Sequence, residues 1–303
     1  MEPGGKGVNV ARVLSNSGRA ATAVLPAAEH DPILAALGAL ELPGLTVHPV
    51  LVTGAARINT AVTEPDGTTT KLNELGAGLS EQEIAAVEHA LLETLATTPL
   101  PVGASPHHWA VLSGSLPPGI PTNWYARLVG LLREAAPGLR IAVDTSDEPL
   151  AALAAELPDS APDLIKPNGE ELGQLAGLPA ERAMALEDGA MRGEYGPVVE
   201  AARVLVERGV ATVMATLGAA GAVLVTAEGA WHAAAPKIHV LSTVGAGDSS
   251  VAGYVLADVR GGDATERLCT AVAYGSAAAG LPGTALPTAS DLPADSLVVT
   301  RLA

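Results

Sequence analysis

From residue 80 onward the chain alternates short apolar runs with longer amphipathic ones, and this alternation leaves few architectures open. Ser80-Glu81-Gln82-Glu83 has capping-box spacing ahead of a helix over 84–95. Strand-like runs at 109–113, 141–144, 163–166 and 211–215 are interleaved with helical patterns at 122–135 and 198–207. A hairpin-like stretch follows at 222–231, and two helices close the chain, starting at Ser249 and Thr265. A strand that returns parallel to its predecessor needs a crossover, and a helix supplies it. The expectation is an α/β fold with a mostly parallel sheet covered by helices on both faces. Hydrophobic residues make up 48% of the 303 positions and none is Phe, so Ala, Val and Leu must build a closely packed interior. No internal repeat appears and no linker is long enough to demand a second unit, so 1–303 is read as one domain.

Upstream of residue 80 the pattern differs. Gly4-Gly5-Lys6-Gly7-Val8-Asn9 is a glycine-rich turn feeding a helix that stops near Gly18. A strand at 21–26, a helix at 32–40 and a strand at 45–52 follow. Two runs of alternating polar and apolar residues, 58–64 and 68–75, flank Pro65-Asp66-Gly67, and an Asp-Gly pair between such runs predicts a hairpin. Both arms have one wet face, so 55–76 is read as a lid over something.

A net charge of −16 argues against nucleic acid and acidic membrane surfaces as partners. No apolar run approaches the roughly 18–20 residues that a membrane span needs. The single cysteine, Cys269, cannot form an internal disulfide, and Met1-Glu2-Pro3-Gly4 lacks the features of a signal peptide, which fits a cytoplasmic protein. Seven scattered histidines offer no zinc-type spacing. Only four lysines occur, and Lys6, Lys71 and Lys166 fall in Gly- or Pro-flanked polar segments, which suggests a local need for positive charge or merely scattered surface lysines.

Ser242-Thr243-Val244-Gly245-Ala246-Gly247-Asp248-Ser249 follows an extended run at 238–241 and leads into a helix. Bare amides at a helix start suit an anion. Asp248 has the wrong charge to bind phosphate, yet it is well placed to take a proton from a hydroxyl beside one; the other reading is a plain helix N-cap. Thr216, Gly218 and Gly221 form a turn after a strand that could approach a flat or anionic ligand or be an ordinary tight turn. Asn168 and Glu171, three apart on a first helical turn behind Lys166, could hold a hydrated Mg²⁺ beside phosphates or simply cap the helix. Ser113-Gly114-Ser115 reads as a ligand-binding turn, and Arg57 and Lys71, at corresponding ends of the lid strands, could close on a sugar phosphate. In open α/β sheets such polar strand ends gather along one edge, where ligands bind.

Taken together, Gly4 to Ala11, Ser113-Gly114-Ser115-Leu116-Pro117-Pro118-Gly119, Lys166-Pro167-Asn168 with Glu171, and Ser242 to Ser249 resemble, in that order, the ribokinase-like carbohydrate kinases, phosphofructokinase branch. Thr70-Lys71-Leu72-Asn73-Glu74 is most similar to the fructose-1-phosphate kinases. The resemblance implies a three-layer α/β/α fold with a small β lid, and ATP- and Mg²⁺-dependent phosphorylation of a sugar phosphate. It implies Asp248 as general base and the Gly245, Ala246 and Gly247 amides as anion hole. Lys166, Asn168, Thr216, Gly218 and Gly221 would serve the nucleotide, Glu171 would reach Mg²⁺ through water with Asn168, and Gly5, Lys6, Asn9, Arg57, Lys71 and Ser113 would serve the sugar phosphate. Fructose 1-phosphate is the implied substrate, with fructose 6-phosphate or tagatose 6-phosphate kinases, or a non-catalytic sugar-phosphate-binding relative, as alternatives. A homodimer through the lid is also implied. Members of that family carry a first strand, a lid strand and a sugar-binding aspartate ahead of the Gly-Gly-Lys-Gly run; here the run begins at position 4, so the start is expected to lie upstream.

Overall fold

The computed structural model describes residues 2–63, 69–98, 107–294 and 297–303. The chain opens with α1 (Lys6–Asn16), β1 (Ala21–Ala27), α2 (Pro32–Gly38) and β2 (Leu45–Leu51), and the two strands pair in parallel as a small sheet of their own. β3 (Asn59–Thr63) and β4 (Thr69–Asn73) form the antiparallel lid hairpin. The Pro65-Asp66-Gly67 turn expected between them lies outside the described residues.

The remainder runs α3 (Glu81–Thr97), β5 (Trp109–Ser113), α4 (Trp124–Ala135), β6 (Arg140–Asp144), α5 (Asp147–Ala155), β7 (Leu164–Ile165), α6 (Gly169–Leu175), α7 (Ala180–Met191) and α8 (Gly196–Glu207). It ends with β8 (Thr212–Thr216), β9 (Ala222–Thr226), β10 (Gly229–Ala233), α9 (Ala246–Asp258), α10 (Ala264–Ala279) and β11 (Val299–Arg301). Ser80 caps α3 with Glu83 completing the box, as its spacing predicts.

Among the described residues the main sheet has seven strands in the order β11-β10-β9-β8-β7-β6-β5. β5 through β8 are parallel, whereas β8/β9, β9/β10 and β10/β11 are antiparallel, so the sheet is mixed rather than dominated by parallel pairs. The tight connections at 217–221 and 227–228 account for the β8/β9 and β9/β10 pairs, since a few residues can turn a strand back but cannot carry a crossover, while β11 returns to the edge beside β10 after α9 and α10. The extended run at 238–241 joins no sheet among the described residues. That segment is irregular, exposes Val240 and Leu241, and touches the fold through Leu241 N–H and Ser242 N–H on the Ala279 carbonyl.

Period-2 alternation places β8 side chains on both faces of the sheet. Val213 and Ala215 pack with Leu172, Val198 and Leu205 of α6 and α8, while Met214 packs with Tyr254, Leu268 and Ala271 of α9 and α10. Helices therefore cover both faces. α9 is buried from Asp248 to Asp258. Its contact with α10 is close enough that a Cβ on Gly253 would lie 2.6 Å from the Thr270 carbonyl, and one on Gly275 would lie 2.2 Å from Ser250 Oγ.

At the opposite end of α9 from Asp248, buried Asp258 collects a cluster. Its Oδ1 accepts from Arg140 Nη1 at 2.6 Å and Arg267 Nη1 at 3.3 Å, and its Oδ2 accepts from Trp109 Nε1 at 2.9 Å. Arg140 also stacks over Trp109, and Arg267 over Tyr254.

Candidate active site

The carboxyl ends of β5 and β6 stand side by side, because the parallel register pairs Ser113 with Asp144. Lys166 leaves β7 next to them, and Asn168 bridges to Thr216 at the end of β8. Two helices point their N-termini at this edge, α1 from cap Gly5 and α9 from cap Gly245. First-turn amides have no intrahelical acceptor, and both helix starts carry partial positive charge.

The two starts are joined by one hydrogen bond. Asn9 Nδ2, in the first turn of α1, donates to Asp248 Oδ2 at 2.8 Å, and both residues are buried. Burial pushes the Asp248 carboxyl above its ordinary range, and the nearby Asp144 charge pushes the same way. The Asn9 bond and the Lys166 and Lys6 charges oppose that shift and do not cancel it.

Asp144 was not singled out by sequence. Its position at the end of the buried run 141–144 was the available signal. It is 3% exposed, and its Oδ1 takes Lys6 Nζ at 3.3 Å and Lys166 Nζ at 3.4 Å. Its Oδ2 and the Ser113 hydroxyl are buried without a partner among the described residues. Two of the scarce lysines thus converge on one carboxylate; Lys6 does so as the first residue of α1. Lys166 also lies against α9, since a Cβ on Gly247 would sit 3.1 Å from its Nζ. The arrangement gathers two ammonium groups and two helix starts around a protonatable carboxylate, which suits a hydroxyl next to a polyanion.

Asn168 and Glu171 form a reciprocal cap: Glu171 N–H donates to Asn168 Oδ1 at 2.8 Å, and Asn168 N–H donates to Glu171 Oε2 at 2.9 Å. That cap leaves Glu171 Oε1 uncommitted to it. No group of three His, Cys, Asp or Glu among the described residues could hold a metal ion directly. The donor set fits a hydrated Mg²⁺ held chiefly by phosphates, and does not fit an all-protein cage.

In the turn after β8, a Cβ on Gly218 would meet nothing within 4 Å, so backbone there is open to a ligand. Gly221 is glycine for another reason. Its φ is 91°, and a Cβ would lie 2.0 Å from the Ala233 carbonyl on β10. Gly221→Ala is expected to cost at least about 2 kcal/mol of stability, read as a lower urea midpoint at unchanged slope.

The lid is rooted by carboxylates. Asp31 Oδ2 accepts from Ala56 N–H at 2.6 Å, Glu74 Oε2 from Ile58 N–H at 2.9 Å, and Glu83 Oε1 from Thr53 N–H at 2.6 Å. Backbone bonds from Ser80 and then Thr53 hold the Glu83 carboxyl down at about 2. Arg57 lies between the first two anchors, and its Nη2 donates to Ser115 Oγ at 3.1 Å. Arg57 and Lys71 do not occupy corresponding strand ends as expected. Arg57 precedes β3 beside Gly76, whereas Lys71 is central in β4 opposite Ala61, because the register pairs Asn59 with Asn73.

A family model described as pfkB family carbohydrate kinase matches residues 1–291. The chain is 37% identical over 303 residues to the 1-phosphofructokinase of Rhodobacter capsulatus, covering 99% of this chain and 87% of that protein. It is 33% identical over 295 residues to the ATP-dependent 6-phosphofructokinase isozyme 2 of Escherichia coli K12, covering 96% of this chain and 86% of the relative. Its fold matches the crystal structure of phosphofructokinase-2 from Escherichia coli in complex with potassium, with a TM-score of 0.80 and 31% identity over 96% of this chain and 85% of that one. Sequence, fold and the family model agree: the chain belongs to the pfkB family of carbohydrate kinases.

Proposed function

We propose that this kinase transfers the γ-phosphoryl group of ATP to the C6 hydroxyl of fructose 1-phosphate, giving fructose 1,6-bisphosphate. The observation that carries the reading is the buried Asp248 carboxylate, held by Asn9 at the start of α9 and bordered by Lys166. As the sugar oxygen bonds to the γ-phosphorus, the bond to the β,γ-bridging oxygen breaks and its electron pair leaves with ADP. The hydroxyl proton goes to Asp248. The Gly245, Ala246 and Gly247 amides, at fixed positions on a helix start, meet the charge on the transferring group. Lys166 adds to that field, and Asp144 restrains both lysines from collapsing onto Asp248. Thr216, Gly218, Gly221 and Asn168 border the nucleotide, while Gly5, Lys6, Asn9, Arg57, Lys71 and Ser113 border the sugar phosphate. Mg²⁺, bound to the phosphates and reached by Glu171 through water, would neutralise phosphate charge.

The likeness to a 1-phosphofructokinase over 99% of the chain supports fructose 1-phosphate. The weaker likeness to a 6-phosphofructokinase makes fructose 6-phosphate the second reading, with tagatose 6-phosphate behind it. Comparing kcat/KM on the three sugars decides between them; a preference for either 6-phosphate overturns the first. We read the chain as one kinase domain whose 55–76 lid closes on the sugar side. Lys71→Ala is expected to raise KM for the sugar phosphate at least about tenfold and to leave KM for ATP within about twofold, the loss of one charge-assisted contact. Equal changes in both would remove Lys71 from the sugar side. Exposed Ile58, Leu72 and Leu75 on and beside the lid support a homodimer through it, which sedimentation would test. No described helix is long and apolar enough to cross a membrane.

A further inference from the structure

The Ser113-Gly114-Ser115 turn is held in a conformation that its own sequence does not impose. Gly114 has a φ of 115°, yet a Cβ there would meet nothing within 4 Å, so crowding is not what selects it. Hydrogen bonds do. Gly114 N–H donates to the Asp144 carbonyl at 3.0 Å, extending the β5/β6 ladder by one step. The Gly114 carbonyl then accepts from two buried hydroxyls on different elements, Tyr125 Oη of α4 at 2.8 Å and Thr145 Oγ1 after β6 at 2.9 Å.

We infer that Tyr125 and Thr145 are positioning residues for the sugar-phosphate side of the site, acting through the Gly114 carbonyl on Ser113 and Ser115. The inference rests on the proposed function above. Fixing that carbonyl fixes the plane of the Gly114–Ser115 peptide and with it the Ser115 hydroxyl, on which Arg57 rests at 3.1 Å. Thr145 directly follows Asp144, so the same clamp ties the lysine-holding strand end to the turn. Burial, aided by the Asp144 charge, pushes the Tyr125 phenol well above the usual tyrosine range, so it remains a donor at all working pH. Glycine alone at 114 would otherwise sample many conformations.

Tyr125→Phe removes one donor and keeps the ring. It is expected to raise KM for fructose 1-phosphate about 3–10-fold, the usual effect of one lost hydrogen bond, with KM for ATP unchanged. Thr145→Val should act likewise and Thr145→Ser should restore the wild-type value. Because the two hydroxyls share one acceptor, the double variant should exceed the product of the single effects. Amide exchange at 113–116 should accelerate in Tyr125→Phe while exchange in β6 and β8 stays unchanged. Unchanged kinetics and exchange, an equal rise in both KM values, or failure of Thr145→Ser to rescue would each overturn the inference. A wild-type protein that phosphorylates no sugar phosphate would overturn the parent reading instead, and the exchange experiment would still test the clamp.

Discussion

Asp248→Asn is expected to slow turnover by about 10²–10⁴-fold while nucleotide still binds, because it removes the proposed proton acceptor and little else. The amide oxygen can still accept from Asn9 Nδ2, so the 2.8 Å link between the starts of α1 and α9 survives. Two further results should accompany the loss. In the wild type, burial first and Asp144 second raise the Asp248 pKa, so kcat/KM should rise with pH through a midpoint above the usual aspartate value of about 3.9. Asn9→Ala, which deletes a bond favouring the ionised form, should move that midpoint higher. Stability should move in the opposite sense to activity. A carboxyl with a raised folded-state pKa binds its proton more tightly folded than unfolded, so stability falls as pH climbs from the unfolded to the folded value and stays lower above it. At neutral pH the uncharged amide introduced by the substitution escapes that cost, and the inactive variant should melt no lower than the wild type. Turnover within about threefold of wild type would end the case for Asp248 as the base.

Asp258→Ala should do the reverse and damage the fold rather than the chemistry. Its carboxylate is 2% exposed and takes bonds from Arg140, Arg267 and Trp109. Removing it leaves two partly buried guanidinium groups without their shared counter-ion. Breaking such a pair costs about 3–5 kcal/mol, and the partial exposure of the arginines favours the lower end. Thermal melting should fall by several degrees. A change below about 1 kcal/mol in denaturant unfolding would mean that water takes over the role of the carboxylate.

Much of this was readable from residue types alone where local chemistry decides. The run Trp109 to Ser113 is bounded by its own β-forming residues and a Gly-Ser stop, and it forms β5 at those limits. The capping box at Ser80 behaves similarly, as does the glycine turn ahead of Asp248. Partners far apart in sequence were not readable. Nothing near Asp144 tells that Lys6, 138 positions away, will meet it. The Asp258 cluster draws on four separate elements. The run at 238–241 reads as extended, but ladder partners rather than side chains make a strand, and none of the described strands pairs with that segment. Asn168 with Glu171 shows the converse limit: one spacing serves a helix cap and a phosphate-side site equally, and the cap is what the bonds display.

α9 carries Asp248 near one end and Asp258 at the other, ten residues and roughly 15 Å apart at about 1.5 Å per residue, with glycine-tight contact to α10 along the way. The helix is therefore a strut held at both ends, by Arg140 and Arg267 at Asp258 and by Asn9 at Asp248. A strut transmits displacement along its axis with little bending, so slippage at the Arg140–Arg267 anchor is opposed by the Asn9 bond at the other end and by the close α10 contact between them. An ångström of misplacement can cost about a hundredfold in rate, so the proposed role of Asp248 calls for a carboxylate fixed from both directions, and this helix supplies that.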